Sequence, residues 1–412
     1  MTDTLRTLRA PRAAIQALTP YDASEPTARI VLASNENPQL PPQALVREVE
    51  ERMEQFAFNR YPDPTAERLR AQLAQAQGLR PAQVLVGNGA DELILDLMLA
   101  WGGPGRTMLN VPPTFSMYRI YAQTTETAVI NVPRHAQDFS LDREAILEQL
   151  ATGVIDLVFI ASPNNPSGNT APDELLREIL SATDALVCID EAYFEFSRTT
   201  ARPWLDAYPN LAILRTFSKA FSLASLRLGY IMASEDIIET LLKVRMPYSV
   251  NAFSQMVAEV VLAHEQEFAP IIGELIEQRD LLECELAATD GVTVYPSQAN
   301  YLLFRVERAH ELWQTLLDEH SILLRDFSAG PGTRDCLRVT VGSPAENQAF
   351  LAALRTELSP AGAVPARNNV ILPAGNAPVG ANCVRPPAGN DSVGRDPLGA
   401  PLTQQEQDKE QQ

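Results

Sequence analysis

The chain has 412 residues, of which 45% are hydrophobic and 21% are charged, and its formal net charge is −19 at pH 7. A chain of this length can bury the cores of two domains, at a prior of about 150 residues per domain. The negative charge argues against a nucleic-acid surface or an anionic membrane as a partner. No apolar run approaches the ~18 residues of a membrane span, and no signal peptide is recognised, so we expect a cytoplasmic protein.

The first part of the chain predicts an arm, a short strand and two helices. Residues 1–29 contain three helix-breaking prolines and are predicted to form an N-terminal arm. A strand is predicted at residues 30–32, and helices at residues 42–56 and 65–77, where apolar residues recur with helical spacing. The loop between the two helices has the sequence NRYPDP and presents Tyr61.

A glycine-containing turn follows the next predicted strand, at residues 84–86. The turn and the start of the next helix have the sequence GNGADE, and the helix continues to Trp101. A strand, a glycine turn and a helix N-terminus form the arrangement whose backbone N–H groups bind an anion. Ordinary turn glycines at Gly87 and Gly89 would give the same pattern, so both interpretations stay open.

Strands and helices alternate from residue 107 to residue 230. Continuous apolar strands separated by amphipathic helices predict a mainly parallel sheet covered on both faces. The predicted strands lie at residues 107–111, 128–132, 155–160, 185–189 and 211–214. Helices are predicted from residue 234 onward, including a long one at about 266–288.

The predicted domains follow from this alternation. A large domain with its linking helix is predicted at residues 30–289, and a smaller α+β domain, to which the N-terminal arm contributes, at residues 290–358. Residues 359–412 are predicted to be a disordered tail, because residues 361–412 contain seven Pro, six Gly and no aromatic residue.

The segment Thr216–Tyr230 carries the residues around which the site is predicted. Ser218 and Lys219 follow the strand at residues 211–214, and open α/β sheets bind ligands at the carboxyl ends of their strands. A lysine in such a loop is usually a solvated cation, and the alternative is an amine that forms a Schiff base. Ser218 and Arg227 favour the second interpretation, because the segment can then hold both a phosphate and a reactive aldehyde of one cofactor.

Two further loops leave the same edge of the predicted sheet. Asn165 lies in the motif SPNNPSG, and Asp190 and Tyr193 lie in the motif DEAY. A carboxylate at Asp190 would keep the nitrogen of a pyridine cofactor protonated, so that the ring accepts the electrons of a carbanion. The phenol of Tyr193 and the amide of Asn165 would lower the pKa of an imine formed by Lys219, and the freed lysine would carry the proton.

Nine motifs in order over residues 15–358 carry a family resemblance. They are LTPYDA, NRYPDP, VGNGADE, PPTFSMY, SPNNPSG, DEAYFEF, RTFSKAFSLASLRLGY, LLRDF and LRVTVG. In this order they resemble the fold-type I pyridoxal 5′-phosphate-dependent aminotransferases, and among these the histidinol-phosphate aminotransferases of histidine biosynthesis. The resemblance implies an α/β fold, in which a large domain with a mainly parallel seven-stranded sheet is joined to a smaller α+β domain, and a homodimer with shared active sites.

The resemblance also implies individual roles. Lys219 is expected to form the Schiff base, Asp190 to pair with the pyridinium, and Tyr193 and Asn165 to contact the ring oxygen. The groups expected at the cofactor phosphate are Ser218, Arg227, the backbone of Ala90 and Asp91, and Tyr61 of the second subunit. Two departures are noted. Phe115 stands where many relatives stack a tyrosine on the ring, and Ser225 replaces a small residue, usually glycine, in the turn before Arg227.

The substrate is less sharply indicated than the cofactor, because aromatic aminotransferases and threonine-phosphate decarboxylases share most of these loops. A carboxylate can be bound by a single arginine, whereas a phosphate ester is bound better by two cations together with neutral donors. Arg325 and Arg338 are the predicted cations, and the resemblance adds Tyr21 and Asn165 as neutral donors. An ion pair between Arg325 and Asp326 is the alternative role of Arg325.

We expect amino transfer from L-histidinol phosphate to 2-oxoglutarate. The alternative that the protein is a non-catalytic relative that only binds ligand stays open. The four histidines show no ligand spacing, so no metal site is predicted.

Overall fold

The computed structural model describes residues 8–20 and 25–359. Its strands are β1 (Ile30–Leu32), β2 (Val84–Gly87), β3 (Thr107–Asn110), β4 (Ala128–Asn131), β5 (Leu157–Ala161), β6 (Leu186–Asp190), β7 (Leu211–Thr216), β8 (Gly229–Ala233), β9 (Val292–Tyr295), β10 (Tyr301–Val306), β11 (Ile322–Asp326) and β12 (Cys336–Thr340). Its helices are α1 (Ala13–Gln16), α2 (Gln43–Met53), α3 (Glu67–Ala76), α4 (Ala90–Trp101), α5 (Met117–Thr125), α6 (Arg143–Ala151), α7 (Asp173–Ala182), α8 (Phe194–Ser197), α9 (Glu235–Val244), α10 (Ala252–Ala263), α11 (Ala269–Ala287), α12 (Ala309–Asp318) and α13 (Pro344–Leu358).

Seven strands form the larger sheet, in the order β2-β8-β7-β6-β5-β3-β4. Neighbouring strands from β7 to β4 are parallel, and β8 runs antiparallel to both β2 and β7. The predicted mainly parallel sheet is therefore confirmed. The carboxyl ends of β5, β6 and β7 lie side by side, so the loops after these strands meet at one edge of the sheet.

The central strands are apolar at nearly every position because both faces of the sheet are covered. Along β6, Val187 and Ile189 pack into one hydrophobic core, whereas Leu186 and Cys188 pack into the core on the opposite face. Side chains alternate between the faces of a strand, so a strand covered on both faces needs apolar residues at successive positions and not only at every second one. The exception within β6 is Asp190, its last residue, which is buried but polar.

Five strands form the second sheet, in the order β1-β11-β12-β10-β9. β1 pairs in parallel with β11, with Ile30 opposite Ile322, and the other pairs are antiparallel. The predicted large domain begins at residue 30, whereas β1 hydrogen-bonds into this second sheet. A three-residue apolar strand carries no local signal of its partner, because its pairing is made with residues almost 300 positions away.

Several boundaries differ from the prediction. The helix predicted at about 266–288 begins only at Ala269, because Glu265–Phe268 form a 3₁₀ helix and proline occupies the first turn of α11. Strand β8 was not predicted, although it starts two residues after Arg227 and completes the sheet beside β7. Strand β9 was likewise not predicted.

Loop contacts join the two sheets close to the predicted site. The hydroxyl of Tyr301 donates to the carbonyl oxygen of Asn164 at 2.7 Å, and the Gln298 N–H donates to the carbonyl oxygen of Gly168 at 2.7 Å. A Cβ atom on Gly168 would lie 2.2 Å from Ser297 Oγ, so only glycine permits this approach. The motif SPNNPSG is thereby held against the start of β10.

The N-terminal arm is described in part. Helix α1 packs against α5, and Arg12 forms an ion pair with Glu126. Tyr21 and the tail from residue 360 onward lie outside the described residues. Within the described ranges, no helix combines the length and apolarity needed to cross a membrane.

Candidate active site

A cavity of about 540 Å³ opens at the carboxyl ends of β5, β6 and β7. Eleven of the thirteen residues predicted for the site line it: Ala90, Asp91, Phe115, Asn165, Asp190, Tyr193, Ser218, Lys219, Arg227, Arg325 and Arg338. Tyr61 does not line it, and Tyr21 is not among the described residues. The cavity therefore brings together residues from both sheets.

Lys219 follows the end of β7, and its amine reaches the beginning of the chain. Its Nζ atom donates a hydrogen bond to the carbonyl oxygen of Ser34 at 2.9 Å. Burial, and after it the cation of Arg338, lowers the pKa of Lys219 to about 8, while the carboxylate of Glu36 opposes the shift. A lysine with this pKa has an appreciable fraction of neutral, nucleophilic amine near neutral pH.

Asp190 ends β6 with its carboxylate in the cavity wall. One oxygen, Oδ1, accepts from the Ala192 N–H at 3.0 Å, and the other, Oδ2, accepts from the hydroxyl of Tyr118 at 2.5 Å. Burial raises the pKa of Asp190 to about 6, and both hydrogen bonds oppose this rise because they stabilise the charged form. Tyr118, on α5, was not singled out in the sequence.

Tyr193 sits beyond β6 in a buried polar contact that the sequence did not predict. Its hydroxyl oxygen accepts a hydrogen bond from Asn35 Nδ2 at 2.8 Å, and Asn35 in turn contacts Thr340 of β12. Burial raises the pKa of Tyr193, so the phenol stays protonated and keeps a proton to donate. Asn35 follows β1 in the motif SNENP, where its only local signal was a turn-forming residue after a short strand.

The predicted anion site would lie at the start of α4. Helix α4 begins at Ala90 after Gly89, whose φ of +84° is in the left-handed region. A Cβ atom on Gly229, the first residue of β8, would lie 2.6 Å from the Ala90 nitrogen, so the strand and the helix terminus approach through a glycine. Ser218 and Arg227 line the same cavity, and Arg227 Nη2 lies 3.2 Å from Asp91 Oδ2.

In the turn before Arg227, the left-handed residues lie on either side of Ser225. Ser225 lies in the 3₁₀ helix Ala224–Leu226, with no positive φ. The left-handed residues of this segment are Ser222, at φ +57°, and Arg227, at φ +50°. The turn that presents Arg227 therefore does not need a glycine at position 225, because the unusual backbone lies on either side of it.

The two predicted substrate cations lie opposite each other on β11 and β12. Arg325 pairs in register with Arg338. Arg338 Nη1 donates to Asn165 Oδ1 at 2.5 Å, and its guanidinium lies 5.1 Å from the centroid of the Tyr301 ring. Asp326 accepts hydrogen bonds from the Ser328 N–H and is paired with His310 Nδ1 at 2.7 Å.

Tyr61 lies on the surface, away from the cavity of its own chain. Its side chain is 84% exposed, and its ring centroid is 5.0 Å from that of Tyr248. Phe58 and Met246 are exposed as well, at 76% and 68%. We call Tyr61 and Tyr248, whose exposed rings lie against each other, the aromatic surface.

The model of the family "Aminotransferase class I and II" matches residues 27–354. The chain belongs to this family. A histidinol-phosphate aminotransferase of Carboxydothermus hydrogenoformans is 43% identical to this aminotransferase over 342 residues, which cover 83% of the chain and 96% of the relative. The predicted family is therefore confirmed.

Solved structures agree on the fold. The histidinol-phosphate aminotransferase of Sinorhizobium meliloti, crystallised with pyridoxal-5′-phosphate, is 23% identical, covers 85% of this chain and 98% of its own, and has a TM-score of 0.78. An L-threonine-O-3-phosphate decarboxylase of Porphyromonas gingivalis is 26% identical, covers 80% of this aminotransferase and 99% of its own chain, and has a TM-score of 0.71. The predicted fold is confirmed, and the ligand of the Sinorhizobium enzyme agrees with the predicted cofactor.

Proposed function

We propose that this aminotransferase is cytoplasmic and transfers the amino group of L-histidinol phosphate to 2-oxoglutarate, with pyridoxal 5′-phosphate as its cofactor. The observation that carries the proposal is the convergence of Lys219 and Asp190 with the paired cations Arg325 and Arg338 on one cavity. The histidinol-phosphate aminotransferase with 43% identity supports the same choice of substrate.

The residues of the cavity fit the proposed cofactor. The start of α4, the Ser218 hydroxyl and the Arg227 guanidinium supply the donors that a phosphate needs. The close approach of Gly229 to Ala90 leaves the helix terminus uncovered by a side chain from β8. A buried carboxylate at Asp190 and an amine at Lys219 supply a partner for a pyridine nitrogen and for an aldehyde.

The chain's own residues divide the chemistry among them. The bound cofactor supplies a ring that withdraws electrons from the substrate carbon whose proton is exchanged. Asp190 would hold the ring nitrogen of that cofactor protonated through its negative charge. Lys219 would hold the aldehyde through its amine, and with a pKa of about 8 its Nζ would accept and return the proton of the substrate carbon near neutral pH.

Tyr193 and Asn165 are proposed to hold the ring oxygen. The Tyr193 oxygen accepts from Asn35, so its own proton remains available to donate. The Asn165 oxygen accepts from Arg338, so its N–H₂ group is the end left for a ligand. Phe115 lines the cavity and packs edge-to-face on Tyr118, which suits a ring that stacks on the cofactor without a hydroxyl.

The phosphate ester of the substrate is proposed to bind between Arg325 and Arg338. Two cations on adjacent strands repel each other, so a dianion between them removes a repulsion as well as forming charge-assisted hydrogen bonds. The side chain of Arg338 is already fixed by Asn165 and by the aromatic ring of Tyr301.

We further propose that the protein is a homodimer in which Tyr61 reaches the cofactor phosphate of the other subunit. The support is the aromatic surface, since exposed aromatic side chains grouped in this way are typical of protein interfaces.

The test is a comparison of kcat/KM for histidinol phosphate, phenylalanine, tyrosine and threonine phosphate, with 2-oxoglutarate as acceptor. We expect histidinol phosphate to be preferred, with weaker turnover of the aromatic amino acids. A preference for phenylalanine or tyrosine would make the protein an aromatic aminotransferase, and release of CO₂ from threonine phosphate would make it a decarboxylase. If no donor changed the absorption spectrum of the bound cofactor, the protein would be a non-catalytic relative that only binds ligand.

A variant sharpens this comparison. Arg325→Ala should raise the KM for histidinol phosphate roughly 10- to 100-fold, the worth of one hydrogen bond to a charged group, and should raise the KM for phenylalanine far less. Arg305→Ala is the matched control, because Arg305 lies on β10 and does not line the cavity. Equal effects of Arg325→Ala on the two donors would contradict the proposed phosphate site.

A further inference from the structure

Tyr118 is a buried tyrosine that contacts Asp190. It lies on α5, has no exposed surface, and donates its hydroxyl proton to Asp190 Oδ2 at 2.5 Å. Its ring is stacked on Phe159 of β5, with centroids 4.8 Å apart and planes inclined by 14°, and it meets Phe115 edge-to-face at 5.6 Å. The ring is thus fixed on two sides, and the hydroxyl has little freedom to leave the carboxylate.

A tyrosine in this place is not required for packing alone. Its neighbours Phe159 and Phe115 are apolar, and a phenylalanine would fill the same volume in the core that contains Leu93, Met108 and Leu157. A hydroxyl buried at this depth costs free energy unless it is paired, and its partner here is the charged group that faces the cavity. The Tyr118 hydroxyl therefore serves the Asp190 carboxylate and is not needed to pack the core.

We propose that Tyr118 is a positioning residue for the transamination: its hydroxyl holds the Asp190 carboxylate ionised and fixed in direction toward the pyridine nitrogen of the bound cofactor. This proposal rests on the proposed cofactor chemistry, in which Asp190 is the partner of that nitrogen. A donor to Asp190 lowers the proton affinity of the carboxylate, so a proton shared with the ring nitrogen stays on the ring. The ring then keeps its capacity to withdraw electrons.

The other ionisable groups around Asp190 make this role necessary. Two carboxylates, Asp91 on α4 and the adjacent Glu191, raise the pKa of Asp190, and so does burial, which is the largest cause. The thiol of Cys188 on β6 and the phenols of Tyr193 and Tyr301 also interact with Asp190, and all three are buried, whereas the cations of Lys219, Arg227 and Arg338 line the same cavity. None of these groups is hydrogen-bonded to the carboxylate; among the described residues its two donors are the Tyr118 hydroxyl and the Ala192 N–H.

The decisive variant is Tyr118→Phe, which removes one oxygen atom and keeps the ring. The probe is pyridoxamine 5′-phosphate, because it carries the pyridine ring and the phosphate but has no aldehyde to react with Lys219. Its dissociation constant is measured on the full-length, cofactor-free protein from pH 5 to pH 9. The titration of Asp190 is followed on the same protein by ¹³C NMR of labelled aspartate carboxyls, assigned with Asp190→Asn.

We expect the midpoint of the Asp190 titration, and with it the bend in the pH profile of the dissociation constant, to move upward by about one pH unit or more in Tyr118→Phe, as for the loss of a hydrogen bond to a charged group. With ¹⁵N-labelled probe, the ring nitrogen signal should move toward that of neutral pyridine. Phe159→Leu, which loosens the stacking and keeps the hydroxyl, should give a smaller shift in the same direction. It serves as the test if Tyr118→Phe does not fold.

Tyr121→Phe is the matched control, because Tyr121 lies one turn further along α5 and is not one of the residues that hydrogen-bond to Asp190. It should leave the Asp190 titration unchanged. A Tyr118→Phe protein that titrates like the wild type overturns the proposal, and so does an equal loss of affinity at every pH, which a purely structural role would produce. None of these measurements uses an amino donor, so a failure of histidinol phosphate as substrate leaves their outcome unaffected.

Discussion

At the scale of single residues, Lys219 shows how the cavity trades stability for reactivity. Burial lowers the pKa of its amine from 10.5 to about 8. Below pH 8 the folded, cofactor-free protein holds a cation that is poorly solvated, and this lowers its stability. Between about pH 8 and 10.5 the unfolded chain binds more protons than the folded one, so the contribution of this group to stability increases with pH across that window.

This sign gives a prediction for Lys219→Met, which removes the charge and keeps the length of the side chain. The cofactor-free variant should unfold at a higher temperature than the wild type at pH 7, and the difference should shrink as the pH rises from 8 toward 10. Thermal unfolding followed by circular dichroism measures it. Lys243→Met on the exposed face of α9 is the control and should show no such pH dependence. An advantage of Lys219→Met that grows with pH would contradict the argument.

Ser222 carries backbone strain three residues after Lys219. Its φ of +57° is in the left-handed region, which costs a residue with a Cβ atom roughly 1–2 kcal/mol. Its hydroxyl is buried and has no hydrogen-bond partner among the described residues. Both features disfavour serine at this position.

Ser222→Gly should therefore stabilise the protein, by about 0.5–1 kcal/mol after the larger entropy of glycine in the unfolded chain is allowed for. The neighbouring Ser225→Gly is a matched control, because Ser225 has no positive φ. This variant should lower the free energy of unfolding by a similar amount. Urea unfolding of the two variants measures the difference. If both variants changed the free energy of unfolding in the same direction, glycine would not release the strain at Ser222.

At the scale of elements, the proposed phosphate site depends on how closely β8 approaches the start of α4. A Cβ atom on Gly229 would lie 2.6 Å from the Ala90 nitrogen and 2.9 Å from the carbonyl carbon of Gly89. Both contacts are with backbone, which cannot rotate away as a side chain can. Any larger residue at position 229 must push the helix terminus aside.

Gly229→Ala should accordingly weaken the binding of pyridoxal 5′-phosphate at least tenfold, since the N–H groups at the helix terminus would no longer lie where the anion binds. Fluorescence titration of the cofactor-free protein measures the dissociation constant. Gly273→Ala is the control, because its Cβ atom would meet nothing within 4 Å on α11. It should leave cofactor binding unchanged and stabilise the helix by about 0.5–1 kcal/mol. An unchanged dissociation constant in Gly229→Ala would separate this glycine from the phosphate site.

The elements also show where sequence reasoning succeeds. Strands β5, β6 and β7 were predicted because strands buried on both faces leave continuous apolar runs, and the loops after them then had to meet at one edge. The roles of Asn35 and Tyr118 were not predicted. Asn35 reaches Tyr193 only through the pairing of β1 with the second sheet, and Tyr118 has the pattern of an ordinary core aromatic in an amphipathic helix. Such contacts depend on tertiary approach, which periodicity does not encode.

At the scale of the whole molecule, the cavity and the aromatic surface lie on different parts of one chain. Tyr61 belongs to the loop between α2 and α3, and its exposed ring contacts only Tyr248 among the aromatic residues described. A side chain this exposed contributes little to the stability of its own chain. In the proposed homodimer the same ring serves the site of the other subunit, so each site needs two chains.

Mixing two damaged proteins tests this arrangement. Lys219→Ala should lose roughly 10⁴-fold or more in turnover, because it loses both the covalent and the proton-transfer role. Tyr61→Ala should be defective when cofactor is limiting, because a phosphate contact is missing. After subunit exchange, half of the dimers are mixed and each has one intact site, so about a quarter of the wild-type activity should return. Exchange is verified with differently tagged subunits. If mixed dimers form and activity stays at the level of the separate variants, Tyr61 does not act across the interface.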